Sequence, residues 1–121
     1  MDIVIARQQG RALAASVGFT GSDLTLIATA ISELGRNILV HAKHGEIAMS
    51  LVHVGAKKGI HIVARDQGPG IADIAQAMRD GYSSVNSLGL GLPGTKRLMD
   101  EFEIVSVVGQ GTTVTASKWV R

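Results

Sequence analysis

The chain has 121 residues, 45% of them hydrophobic and only 3% aromatic, which suits one domain over residues 1–121 with an aliphatic core rather than a disordered segment. A net charge of +2 with acids and bases interspersed, no basic block and no aromatic stacking pattern excludes a dedicated nucleic-acid binder, despite a sequence pI near 9.3. Cysteine is absent, so disulfides and thiol chemistry are excluded, and no apolar run or signal-peptide pattern points to a membrane; a cytoplasmic enzyme or regulator is expected.

In chain order, Asp2 to Val17 has apolar residues at helical spacing, weakened by Gly10 and closed by Gly18. The strongest element follows. Ser22 is expected to cap it, Asp23 suits its first turn, and Leu24, Ile27, Ile31, Leu34 and Ile38 form one apolar stripe. His41, Lys43 and His44 fall in its last turn, with Gly45 as terminator. Glu46 to Val54 and Ile60 to Arg65 read as strands joined by the loop Gly55 to Gly59. A short helix is predicted over Ile71 to Arg79. Another has Pro93 in its first turn and continues through Thr95, Leu98, Met99 and Phe102. Glu103 to Val108 and Thr112 to Val120 form a last hairpin, turned at Gly109-Gln110-Gly111. The fold class is an α/β two-layer sandwich, with helices on one face of a mixed, mostly antiparallel sheet.

The stretch from Asp66 to Gly94 is rich in glycine at both ends, with Gly68 and Gly70 near its start and Gly89, Gly91 and Gly94 at its close. Two glycine turns that open helices offer free backbone N–H groups to an anion, and a nucleotide is the natural candidate. The polar run Gly81 to Ser87 between them has little to bury and suits a lid.

Glu33 and Asn37 lie four apart on the long helix, on one face and off the apolar stripe. A glutamate there can take a proton from an attacking hydroxyl, and an asparagine oxygen can ligate Mg²⁺; a solvated helix surface is the alternative for such a pair alone. Gly89 to Gly94 matches G-x-G-x-x-G, but the dinucleotide reading needs a strand just before it and an acid about twenty residues on. Tyr82 to Ser87 makes a poor strand, and Glu101 and Glu103 come too early. A P-loop fails for want of a glycine-lysine-serine or glycine-lysine-threonine unit, and a eukaryotic-type kinase fails on length and motifs. His41 and His44 have no third ligand spaced to join them, so charge at a helix end is their expected role. His53 and His61 are expected to alternate outward on strands.

Taken in order, Glu33-x-x-x-Asn37, Asp66-x-Gly68-x-Gly70, Gly89-x-Gly91-x-x-Gly94 and Gly109-Gln110-Gly111-Thr112-Thr113 resemble the N, G1, G2 and G3 boxes of the GHKL ATPases, the superfamily of gyrase and the histidine kinases. Ile31 to Ile38, the short lid, Leu92 to Asp100 and the terminal Lys118-Trp119 most resemble the stressosome switch serine/threonine kinases, within the anti-sigma factor kinase group. That family normally has a strand before the helix that here starts near Asp2, so the chain looks shortened at its N-terminus.

The resemblance implies the Bergerat ATP-binding fold and an ATP-dependent protein kinase using Mg²⁺. Glu33 would be the general base and Asn37 the Mg²⁺ ligand. Asp66 would accept a hydrogen bond from the adenine amino group, assisted by Thr112 through a water. Gly68 and Gly70 would let the backbone approach the base, and Gly89, Gly91 and Gly94 would place N–H groups at the phosphates. Lys96 and Arg97 are either phosphate neighbours or a solvated helix face. The implied substrates are STAS-domain scaffold or antagonist proteins, and the implied second partner is a PP2C-type phosphatase activated on release; the substrate is expected to dock beside Gly81 to Leu88. The alternatives are a nucleotide-dependent anti-sigma factor and a histidine-kinase ATPase domain split from its partner.

Overall fold

A computed structural model describes residues 2–79 and 91–121. Its central element is the helix α2, Ser22–His41, whose stripe points inward: Ile27, Ile31, Leu34 and Ile38 are each at most 1% exposed. Burial on that scale contributes roughly 1.5–3 kcal/mol per side chain, far more than helix propensity supplies. Both expected ends shift. Gly21, not Ser22, occupies the cap, with Ser22 the first helical residue and Asp23 favouring the positive helix end. At the other end Lys43, with φ 69°, takes the left-handed position, and its N–H donates to the Ile38 carbonyl at 2.9 Å. Gly45 does not terminate the helix but opens the next strand. A Cβ there would lie 2.6 Å from the Arg65 carbonyl oxygen and 2.7 Å from Ile38 Cγ2, so missing volume, not backbone freedom, sets the glycine's place.

The preceding helix α1, Ile3–Val17, is capped by Asp2, whose Oδ1 accepts from the Ile5 N–H, and is closed by Gly18 at φ 115°. Gly10 costs helix propensity but lets α1 lie against α2: a Cβ at Gly10 would stand 2.1 Å from Ile31 Cδ1. The strands are β1, Gly45–Val54, and β2, Lys57–Asp66, then β3, Glu101–Val107, and β4, Gly111–Trp119, in the order β1-β2-β4-β3. All three pairings are antiparallel, so among the described residues the sheet has no parallel pair. The first hairpin is tighter than the predicted five-residue loop. Val54 pairs with Lys57, which leaves Gly55 and Ala56 to turn the chain.

Ile60, Ile62, Ala64, Val114 and Ala116 form the sheet face under the helices, and α1 and α2 both pack on β1 and β2. Two short helices complete this layer. α3, Ile74–Ala77, is capped by Asp73 and is shorter than predicted; α4, Gly91–Leu98, packs against α2. Phe102 is not on the last face of α4, as predicted, but on β3. The helix stops at Leu98, whose carbonyl accepts from Lys118 Nζ at 2.9 Å, and Asp100 N–H already donates to the Ser117 carbonyl.

Candidate functional site

The β2–β4 register sets Asp66 opposite Thr112, on the last rung of that ladder. Both are buried, at 7% and 5% exposure. Asp66 Oδ1 accepts from the Gly68 N–H at 2.9 Å and the Thr112 N–H at 3.3 Å, while Oδ2 accepts no hydrogen bond among the described residues. A buried carboxylate held on one oxygen by backbone donors leaves the other as a fixed acceptor for a ligand's N–H.

The two glycines after Asp66 are required by close protein contacts. A Cβ at Gly68 would lie 2.6 Å from Ala42 Cβ, and Gly70, at φ 79°, would lie 2.5 Å from the Val107 carbonyl oxygen. Gly109 N–H donates to the Pro69 carbonyl, which ties this loop to the β3–β4 turn. Ser106 joins the same structure: its Oγ accepts from the Ile71 N–H at 2.7 Å and lies 2.8 Å from Thr112 Oγ1.

These elements enclose a cavity of about 220 Å³ lined by Asn37, His41, Asp66, Thr112, Ile71 and Leu92, with α3 and its loop making another wall. Drug-sized ligands usually fill pockets of roughly 300 Å³ or more, so this space suits a planar base, with the rest of a nucleotide leaving through its mouth. Apolar walls with a few convergent polar groups fit that use.

Glu33 lies one turn before Asn37 on α2 and is 9% exposed. It is outside the cavity lining. Arg36 Nη1 donates to its Oε1 at 2.5 Å, and the Gly91 N–H donates to its Oε2 at 3.3 Å. This brings the expected base to the start of α4. Gly94 is buried one turn into α4, and the exposed Lys96 and Arg97 lie in that helix's last turn. Gly89 and the lid Gly81 to Leu88 lie outside the described residues.

Among the described residues no three His, Asp or Glu side chains converge as a metal site. His41 is an exposed wall of the cavity, a role the sequence reading missed in assigning it to the helix end. Its signal was its spacing, four residues after Asn37 and so on the same helix face. Ser106 was also missed; it is the polar member of the inward set Phe102, Ile104 and Ser106 on β3. His53 is exposed, and His61 shares a hydrogen bond of 2.9 Å with Ser117 across β2 and β4. No helix among the described residues is long and apolar enough to cross a membrane.

Residues 2–118 match the family model of the histidine kinase-like ATPase domain. The chain is 54% identical to the serine/threonine-protein kinase RsbT of Bacillus subtilis (strain 168), over 99% of this chain and 90% of that protein. It is 31% identical to the anti-sigma F factor of Thermoanaerobacter sp. (strain X514), over 95% of this chain and 83% of that one. Its fold resembles a mycobacterial sensor histidine kinase, MprB, with a TM-score of 0.63 at 18% identity, covering 98% of this chain and 92% of that one.

Proposed function

The chain belongs to the histidine kinase-like ATPase domain family, and from that premise we propose that it is an ATP-dependent protein serine/threonine kinase. The observation that carries the reading is the convergence of Asp66 and Asn37 on one base-sized cavity, with Glu33 one helical turn away at the start of α4.

Bound ATP supplies the phosphoryl group, and Mg²⁺ would neutralise charge on its phosphates. The chain's own residues do the positioning. Asp66 Oδ2 accepts from the adenine amino group, with Thr112 beside it. Ile71, Ala77 and Leu92 keep water from the ring. Asn37 would offer an amide oxygen to the metal, and Glu33 takes the proton of the acceptor hydroxyl. Backbone N–H groups toward the start of α4, Gly91 among them, favour the phosphates there, with Gly89 expected to add another and Gly94 keeping the helix close.

The acceptor we propose is a serine or threonine of a STAS-domain protein in a bacterial stress-response partner switch, with a PP2C-type phosphatase as the second partner. Phosphorylation adds about −1.5 to −2 charges beside Glu33, so the product is repelled from a desolvated interface and the kinase is released. The similarity to an anti-sigma F factor favours a second reading, a nucleotide-dependent module that holds a sigma factor. Incubation with radiolabelled Mg-ATP and candidate STAS proteins separates the two. Acid-stable label on serine or threonine is the expected result. Acid-labile label would mean histidine transfer, and sigma-factor binding with no transfer would favour the second reading.

A further inference from the structure

Both oxygens of Glu33 are engaged, one by Arg36 and one by the Gly91 N–H. Gly91 is the first described residue of α4, with φ 71°, and its N–H points to a carboxylate instead of a carbonyl, at the end of the helix that favours negative charge. In this structure the anion at that donor is the protein's own carboxylate. A polyphosphate brought to the same place meets it at close range. Arg36 is the cation that offsets it, three residues along α2 and 38% exposed, while the Glu33 side chain is only 8% exposed. Among the described residues Arg36 has no other ion pair.

A pair three residues apart on an exposed helix face contributes little. This pair differs because one partner is buried and stands beside the proposed phosphate position. We propose that Arg36 is a positioning residue for polyphosphate binding: it cancels the charge of Glu33 beside Gly91 and so admits the nucleotide's phosphates to the start of α4. The inference rests on the ATP reading above and concerns only this chain's residues.

The test is a set of affinities for ATP, ADP and AMP, measured by competition against a fluorescent adenine nucleotide. The proteins are wild type, Arg36→Gln, Arg36→Lys and the double variant Glu33→Gln/Arg36→Gln, with thermal melts reporting folding. Arg36→Gln leaves an uncompensated carboxylate and is expected to weaken ATP binding about tenfold after allowance for screening, ADP less, and AMP by no more than about twofold. Arg36→Lys keeps most of the affinity because it keeps the charge. The double variant returns ATP binding to within about twofold of wild type, since no carboxylate remains to repel the phosphates. Equal losses for all three nucleotides would overturn the proposal in favour of a structural role. A double variant as weak as Arg36→Gln would overturn it in favour of direct contact between Arg36 and phosphate. Both of those failures leave the ATP reading standing; a wild-type protein that binds none of the three overturns that reading and this inference with it.

Discussion

At the Asp66 end of the site the main chain does the holding: Oδ1 is fixed by two backbone N–H groups, and Gly68, Gly70 and Gly111 let neighbouring carbonyls and side chains close in. At the Glu33 end, a carboxylate, a guanidinium and one N–H hold each other. The first arrangement is set by strand register and cannot rearrange without opening the sheet. The second can exchange partners when a new charge arrives. The proposed function puts base recognition on the rigid end, and phosphate binding and proton transfer on the end whose contacts are electrostatic and exchangeable.

The largest expected effect tests the exchangeable end. Glu33→Gln keeps the shape of the side chain and removes the proton acceptor. Phosphoryl transfer should fall about 10²–10⁴-fold, while ATP binds at least as tightly as before. Single-turnover transfer measured beside nucleotide affinity checks both halves. Transfer at the wild-type rate would remove Glu33 as the base and leave only its contacts with Arg36 and Gly91.

The next effect tests the rigid end through stability. Gly111 has φ 135°, and a Cβ there would stand 2.1 Å from the Asp66 carbonyl oxygen. Gly111→Ala combines a left-handed backbone cost with overpacking against a main-chain atom, together about 3–4 kcal/mol. Urea unfolding should show that loss. A loss below about 1 kcal/mol would mean that the Asp66 rung can shift and is not the rigid end of the site.

The same contrast explains what could be read from the sequence. The stripe of α2, the strands and the antiparallel character were legible because hydrophobic spacing follows from local geometry. Asn37, Asp66 and Thr112 were legible as neighbours because each falls in a motif, and they line one cavity, with Glu33 outside its lining. Gly45 was assigned to a helix end, whereas a Cβ there would meet Arg65 and Asp66, and Gly68 and Gly70 have a packing role besides the expected one, against Ala42 and Val107. Lys43 at φ 69° carries the turn that glycine was expected to make. Phe102 was drawn into a helix because its spacing from Leu98 and Met99 suits one helix face, and the β3–β4 pairing, with Phe102 opposite Ala116, decides against it. Ser106 accepts from Ile71, 35 residues away, and Arg36 touches Glu33, which is bonded to Gly91 58 residues away, so neither place follows from local spacing.

The smallest of these effects turns on one atom of Asp66. Asn at this position keeps an oxygen that can accept from the Gly68 and Thr112 N–H groups, so the rung and the fold should survive. It replaces Oδ2, the acceptor proposed for the adenine amino group, with an NH₂ donor. Two donors then face each other in a buried site, and the lost hydrogen bond to a charged acceptor is worth about 1.5–3 kcal/mol, or roughly 10–100-fold in ATP affinity. The change should also alter preference. A purine triphosphate with a carbonyl in place of the amino group, such as inosine triphosphate, offers that NH₂ an acceptor and should lose less affinity than ATP or gain some. Calorimetry with both nucleotides on wild type and Asp66→Asn checks the ratio as well as the loss. A folded variant with unchanged ATP affinity would take Asp66 out of the site. A loss shared equally by both nucleotides would keep Asp66 as a prop of the rung and deny it contact with the base.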